Sequence, residues 1–206
     1  MISIINLSHL KKSMMFIWLG IGLIISFYLL LPAPLLPPPD LPESAKSNEP
    51  GDTWQLPNVS AYYTDKLRPE ALDFYAQYFS RSSFLNIPLP TYRLNHPPEY
   101  AKQVFIDTKQ SYYLEEIIHP FRESLFVNGF EWENDVFTPP ESRPKNILKF
   151  NDRVWKSKVS LKWIYSSELQ RLIIFWSSWI LFWFICKSFN KEIISLIRIF
   201  CKKPNE

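Results

Sequence analysis

Few residues of this 206-residue chain have the type and spacing for chemistry. Glu115 and Glu116 form an adjacent acidic pair of the kind used in general acid–base work. They lie in a stretch, residues 111–119, whose Tyr112, Tyr113, Leu114, Ile117 and Ile118 read as a strand. Neighbours on a strand point to opposite faces, so the two carboxylates diverge and are expected to be solvated or salt-bridged. His96 and His119 each precede a proline at an element boundary and read as turn or cap residues rather than bases. Three histidines and two cysteines do not make a standard zinc site. No serine sits in a nucleophile elbow, and no acidic cluster has calcium-loop spacing. Four glycines, two of them (Gly20 and Gly22) inside a hydrophobic run, leave no phosphate loop. No catalytic, cofactor or metal residue is therefore assigned, and a non-catalytic role is favoured.

Basic residues offer a different chemistry. Arg153, Lys156, Lys158 and Lys162 interleave with Trp155 and Trp163, and Val159, Leu161 and Trp163 alternate with Lys158, Ser160 and Lys162. That pattern predicts a strand with one buried face and one wet basic face suited to lipid headgroups. Near the C-terminus, Lys191, Ser195, Arg198 and Lys202 share one helical face, with Lys203 adjoining, while Ile193, Ile194, Leu196, Ile197 and Phe200 share the other. Such a basic amphipathic helix suits an anionic bilayer surface. The net charge of +3 is too small to indicate nucleic acid as a partner.

The elements that must position these residues begin with two hydrophobic runs. Residues 14–31 carry no charge and, as a helix, reach roughly 27 Å, close to the hydrocarbon thickness. The run exceeds the usual length of a leader's apolar stretch and its Leu-Pro-Ala-Pro-Leu-Leu exit is unlike a small-residue cleavage site, so an uncleaved anchor is expected, with a cleaved leader as the rival. Residues 169–189 form the second span, with Arg171 and Lys187 placed to snorkel and Trp176, Trp179 and Trp183 on one face toward lipid. Gly22 and Ser26 share a face of the first span, where small residues allow close approach of a second helix, and Ser178 is a candidate to meet them. Residues 1–13 and 190–206 are net basic, whereas 33–171 carry 16 basic and 18 acidic residues. The positive-inside rule places both termini in the cytoplasm and the central segment outside. Cys186 and Cys201 then lie where thiols stay reduced.

Between the spans, residues 32–57 hold eight prolines and read as a semi-rigid polyproline spacer. Residues 58–166 read as one α+β domain. Strands are predicted at 59–64, 111–119, 130–137 and 154–165, with a hairpin turn at Asn151-Asp152, and helices are predicted from Arg68 and from Asn95 to Thr108. Residues 121–128 fit either a helix ended by Gly129 or a strand with an Asn128-Gly129 turn, and the spacing of Phe121, Leu125 and Phe126 favours the helix.

Four stretches, LPAPLLPPPDLP, AYYTD, IPLPTYRLNHPPEYA and LEEIIHPFRESLFVNGFE, together resemble a family of uncharacterised small bacterial membrane proteins with two spans and one exported domain. The resemblance runs the length of the chain and implies a bacterial envelope location, without an assigned activity. The functional expectation is a membrane-anchored envelope module that binds or organises a protein partner. An envelope hydrolase or transferase is the alternative.

Overall fold

The computed structural model describes residues 7–105 and 111–201, with side chains described over 12–105 and 111–189. Two compact units result, Leu31–Ser166 and the pair Met1–Leu30 with Ser167–Glu206. The expectation of a mixed α+β domain between two apolar helices is met.

The central unit is built on a six-stranded antiparallel sheet. Its strands are β1 (Ser44–Lys46), β2 (Val59–Thr64), β3 (Tyr92–His96), β4 (Tyr113–Ile118), β5 (Ser124–Glu131) and β8 (Ser157–Ile164), in the order β1-β2-β8-β5-β4-β3. A small hairpin, β6 (Leu148–Phe150) with β7 (Arg153–Trp155), precedes β8. Its two turn residues, Asn151 and Asp152, have φ of 51° and 57°, the left-handed pair that a tight hairpin turn demands.

Helix α2 (Arg68–Phe79) lies on one face of the sheet. Ala71, Leu72, Tyr75 and Phe79 recur at helical spacing and are buried against Tyr62, Ile117, Leu125, Val127, Val159 and Leu161, which alternate along four strands. The opposite face is covered as well. Leu56, the short helix α3 (Ala101–Val104) and Phe105 pack on Val59, Leu114 and Phe126. The expected wet basic face of β8 is therefore closed over: Ser160 is buried and Lys158 is partly so.

Three other expectations change. Residues 121–128 are not a helix: from Ser124 they belong to β5, all eight of whose residues pair with β8 and six with β4, and the strand ends at Glu131 instead of starting at Phe130. Ladder pairing on both sides outweighs the local helical spacing. The helix expected from Asn95 shrinks to a 3-10 turn at Pro98–Tyr100 and α3, because Asn95 and His96 pair with Glu115 and Leu114 as the end of β3; Thr108 lies outside the described residues. The proline-rich segment is a strap rather than a spacer. Leu41 enters the main core, the Tyr78 hydroxyl donates to the Leu35 carbonyl, and Ser44–Lys46 pairs with β2.

Gly129 explains itself through close approach. It is neither a cap nor a turn but lies mid-strand opposite Tyr113, whose ring covers it; a Cβ there would stand 2.1 Å from the ring. A bare backbone under an aromatic ring is a cross-strand device that pins register. Gly129→Ala is expected to lose about 2–3 kcal/mol of stability in chemical denaturation, with Tyr113→Ala recovering part of it in the double variant.

The second unit consists of α1 (Leu7–Leu30) and α4 (Glu168–Cys201). Lys12–Leu30 and Glu168–Phe189 are long and apolar enough to cross a bilayer, with mean hydropathy 2.1 and 1.7. Trp18 stacks on Trp179 at 5.2 Å and also meets Trp183 at 4.9 Å and Trp176 at 6.5 Å. The tryptophan face of α4 thus turns to α1, not outward. Gly22, one turn beyond Trp18, is buried beneath Trp176 and Trp179; a Cβ would come within 3.0 Å of each. Indoles, not Ser178, fill the groove, and Ser178 is exposed. Ser26 is buried and donates to its own helix at the Gly22 carbonyl, 2.8 Å away. Arg171 does not snorkel: it is buried, and its Nη1 donates to the Leu29 carbonyl at 3.0 Å, placing a cation on the negative end of α1. Gly22→Leu is expected to part the indoles, read as a shift in tryptophan emission with the far-ultraviolet signal of the sheet unchanged.

Candidate functional site

Three polar clusters stand out among the described residues of the central unit. The first lies at the β4–β5 turn. His119 is fully buried and stacks on Phe79 at 4.4 Å. Its Nε2 faces the Phe79 carbonyl at 2.7 Å and its Nδ1 faces the Glu123 carboxylate at 2.8 Å. A carbonyl only accepts, so Nε2 carries a proton and donates it. The Arg122 guanidinium bonds the same Glu123 oxygen at 2.8 Å and the Leu31 carbonyl at 2.8 Å. With both ring nitrogens engaged and no exposure, His119 cannot take a proton from a substrate. It caps the C-terminal end of α2.

The second cluster lies at the other end of α2. Strand alternation sends Glu115 toward the helix and Glu116 away from it, as the sequence implies. Glu115, 4% exposed, receives Nε bonds from Arg68 at 2.9 Å and Arg93 at 3.1 Å, and a further bond from each guanidinium. Glu116 bonds His96 at 3.0 Å. Glu131, from β5, accepts the Arg68 backbone N–H at 2.6 Å, and Glu70 accepts that of Leu67 at 3.0 Å. Carboxylates therefore sit on the positive end of α2. Tyr113, wholly enclosed beside Glu131 and Arg68, has its hydroxyl pushed well above the ordinary range by burial.

The third cluster lines a cleft of about 550 Å³ bounded by Glu49, Asp52, Tyr63, Phe105, Asn128 and Lys158, among others. Lys158 Nζ lies 2.8 Å from Glu49 and 2.7 Å from Asp52. Burial opposes its charge, but the hydrogen bonds to Asp52 and Glu49 outweigh burial and hold its pKa above the usual lysine value. The same bond from Lys158 keeps Glu49 below the usual carboxylate range. Burial pushes Tyr63 up to about 12; the nearby Lys158 charge opposes this, and a hydrogen bond to Glu49 reinforces it.

Of the predicted headgroup residues whose side chains are described, three of four have a protein partner. Arg153 pairs with Asp65 and lies 4.0 Å over the Trp155 ring. Lys156 is exposed. Lys158 is bound as above, and Lys162 Nζ donates to the Val104 carbonyl. Arg153 is in β7, Lys156 lies between the strands, and Lys158 stands near the start of β8, about 20 Å along the strand from Ile164. Lys202 and Lys203, which belong to the expected amphipathic tail, lie outside the described residues, as does the Arg198 side chain. The double clamp on α2 was missed because a cap supplied by another strand leaves no local spacing; only the charged run His119 to Glu123 hinted at it. Among the described residues, no three His, Cys, Asp or Glu side chains converge to hold a metal ion.

No family model, curated protein or solved structure matches the chain.

His119→Ala strands a helix-end carbonyl and leaves the buried Glu123 carboxylate with Arg122 alone, with an expected loss of about 2–3 kcal/mol in thermal or chemical unfolding. The tyrosine cluster sets an alkaline limit. Tyr63 has a folded pKa above its unfolded value, so its contribution is complete below about pH 10 and is lost as pH rises through about 12. Tyr63→Phe is expected to flatten that part of the stability–pH profile.

Proposed function

We propose that the protein is a two-span envelope protein of a bacterium, with both termini cytoplasmic, and that its exported sheet domain binds or organises a protein partner without chemistry of its own. The observation that carries this reading is the internal neutralisation of the polar groups. His119 is closed on both sides, Glu115 is held by two guanidiniums, and Lys158 by two carboxylates. Groups paired in this way are accounted for by the fold, as members of structural ion-pair networks.

The membrane assignment rests on uncovered apolar surface. Phe16, Ile24, Ile174 and Phe184 are each more than half exposed on the two apolar helices, which suits lipid and not water. The flanking charge supports the orientation, and the resemblance to two-span bacterial proteins points the same way. The alternative, an envelope hydrolase or transferase, draws on the cleft beside Tyr63 and Lys158.

Reporter fusions before Lys11 and after Asn190 are expected to read cytoplasmic, and one at Gly51 exported. Cross-linking of tagged full-length protein in cells, followed by mass spectrometry, is expected to capture one abundant partner, and capture should survive Tyr63→Phe. A cleaved N-terminus near Ala33, or a Gly51 reporter in the cytoplasm, defeats the topology. Turnover of an envelope substrate that disappears with Lys158→Met transfers the function to the enzyme reading.

A further inference from the structure

Two tight turns of the sheet unit contradict the usual choice of turn residue. Seven non-glycine residues among those described have positive φ. Five are polar: Glu43, Asn58, Asn86, Asn151 and Asp152. The other two are Leu85, at φ 53°, and Phe121, at φ 61°. The left-handed region is sterically costly for a bulky L-residue, which is why Gly, Asn and Asp dominate there. A buried side chain can offset that cost through packing. These two do not pack: Leu85 is 78% and Phe121 86% exposed. In water, both positions set an apolar side chain on a strained backbone with nothing gained.

Both turns are rooted on the same three residues. The Ser82 hydroxyl donates to the Pro32 carbonyl at 2.7 Å, and the Ser83 N–H to the Ala33 carbonyl at 3.3 Å. The Arg122 guanidinium donates to the Leu31 carbonyl at 2.8 Å. Residues 31–33 directly follow Leu30, the last residue of the first apolar helix. Three residues of chain reach at most about 10 Å. The chain leaves the unit at the same end of the sheet, because Ser124, just past the Phe121 turn, pairs with Ile164, and Glu168 opens the second apolar helix. Phe84, Ile164 and Tyr165 are exposed there too.

We propose that this end of the sheet domain is seated in the bilayer interface, with Leu85 and Phe121 inserted at the boundary between headgroups and acyl chains. The proposal rests on the two apolar helices crossing the bilayer. Apolar and aromatic side chains at the interface enter roughly 5–10 Å below the headgroups, and transfer from water there supplies the gain that packing does not. The buried His119–Glu123–Arg122 cluster under the Phe121 turn holds that tip rigid. The domain is thereby fixed in orientation, and surfaces remote from this end stay open to a partner.

The test uses full-length protein with Cys186 and Cys201 replaced by serine. Single cysteines at Leu85, Phe121, Asp152 and Leu23 are each labelled with a polarity-sensitive nitrobenzoxadiazole dye. The proteins are placed in phosphatidylcholine–phosphatidylglycerol vesicles brominated near the headgroup or deep in the chains, and circular dichroism verifies folding. Labels at 85 and 121 are expected to emit to the blue of the label at 152 and to be quenched severalfold more by shallow bromines; the label at 23 reports the deep ones. If 85 and 121 match 152 while 23 is quenched, the interfacial seat is wrong and the spans stand. If 23 escapes the deep bromines, the two-span reading fails and this proposal with it.

Discussion

The sheet domain depends on one electrostatic arrangement, the grip of the β4–β5 hairpin on both ends of α2. An α-helix leaves N–H groups unsatisfied at its start and carbonyls at its finish, and its peptide dipoles add to a positive and a negative pole. Here Glu131 from the far end of β5 meets the first pole at the Arg68 N–H, and His119 from the β4–β5 turn meets the second at the Phe79 carbonyl. One hairpin supplies both partners, so the length of β5 is matched to the helix it carries. A shift of register by one residue would misplace both contacts and turn the core face outward. Gly129, under the Tyr113 ring, pins that register from inside the sheet.

The same economy runs through the rest of the molecule. Charged groups that look catalytic in isolation are used to close backbone ends or neutralise one another. Arg171 closes a carbonyl at the end of α1 as His119 does for α2. Lys158 joins the 3-10 turn at Pro50–Asp52 to β8 through Asp52 and the adjoining Glu49. The central unit has no cysteine to form a staple, so these pairings and the two-faced core carry its stability. A pair whose partners are both buried is specific more than strong, since desolvation offsets much of the attraction.

Local pattern made much of this legible. The period of Ala71, Leu72, Tyr75 and Phe79 marked α2, the alternation of Val159 and Leu161 marked β8, and Asn151-Asp152 marked the hairpin turn. The divergence of Glu115 and Glu116 followed from strand geometry alone. What stayed hidden depends on partners distant in sequence. Residues 124–128 have helical spacing but are held as strand by two neighbours. The prolines of residues 32–57 suggest a rod, yet Leu41 has a core to enter and Ser44–Lys46 an edge to pair with. Trp176, Trp179 and Trp183 read as lipid-facing because nothing in α4 itself shows that Trp18 and Gly22 make room for them.

If the hairpin grips α2 at both poles, helix and hairpin must open together. Native-state hydrogen exchange on the full-length protein, resolved by mass spectrometry, measures this directly. Amides of α2, including its last turn, are expected to exchange with those of β4, β5 and β8 in one slow cooperative step. Exchange of the α2 ends well ahead of the hairpin, at rates typical of fraying helix termini, would contradict the account.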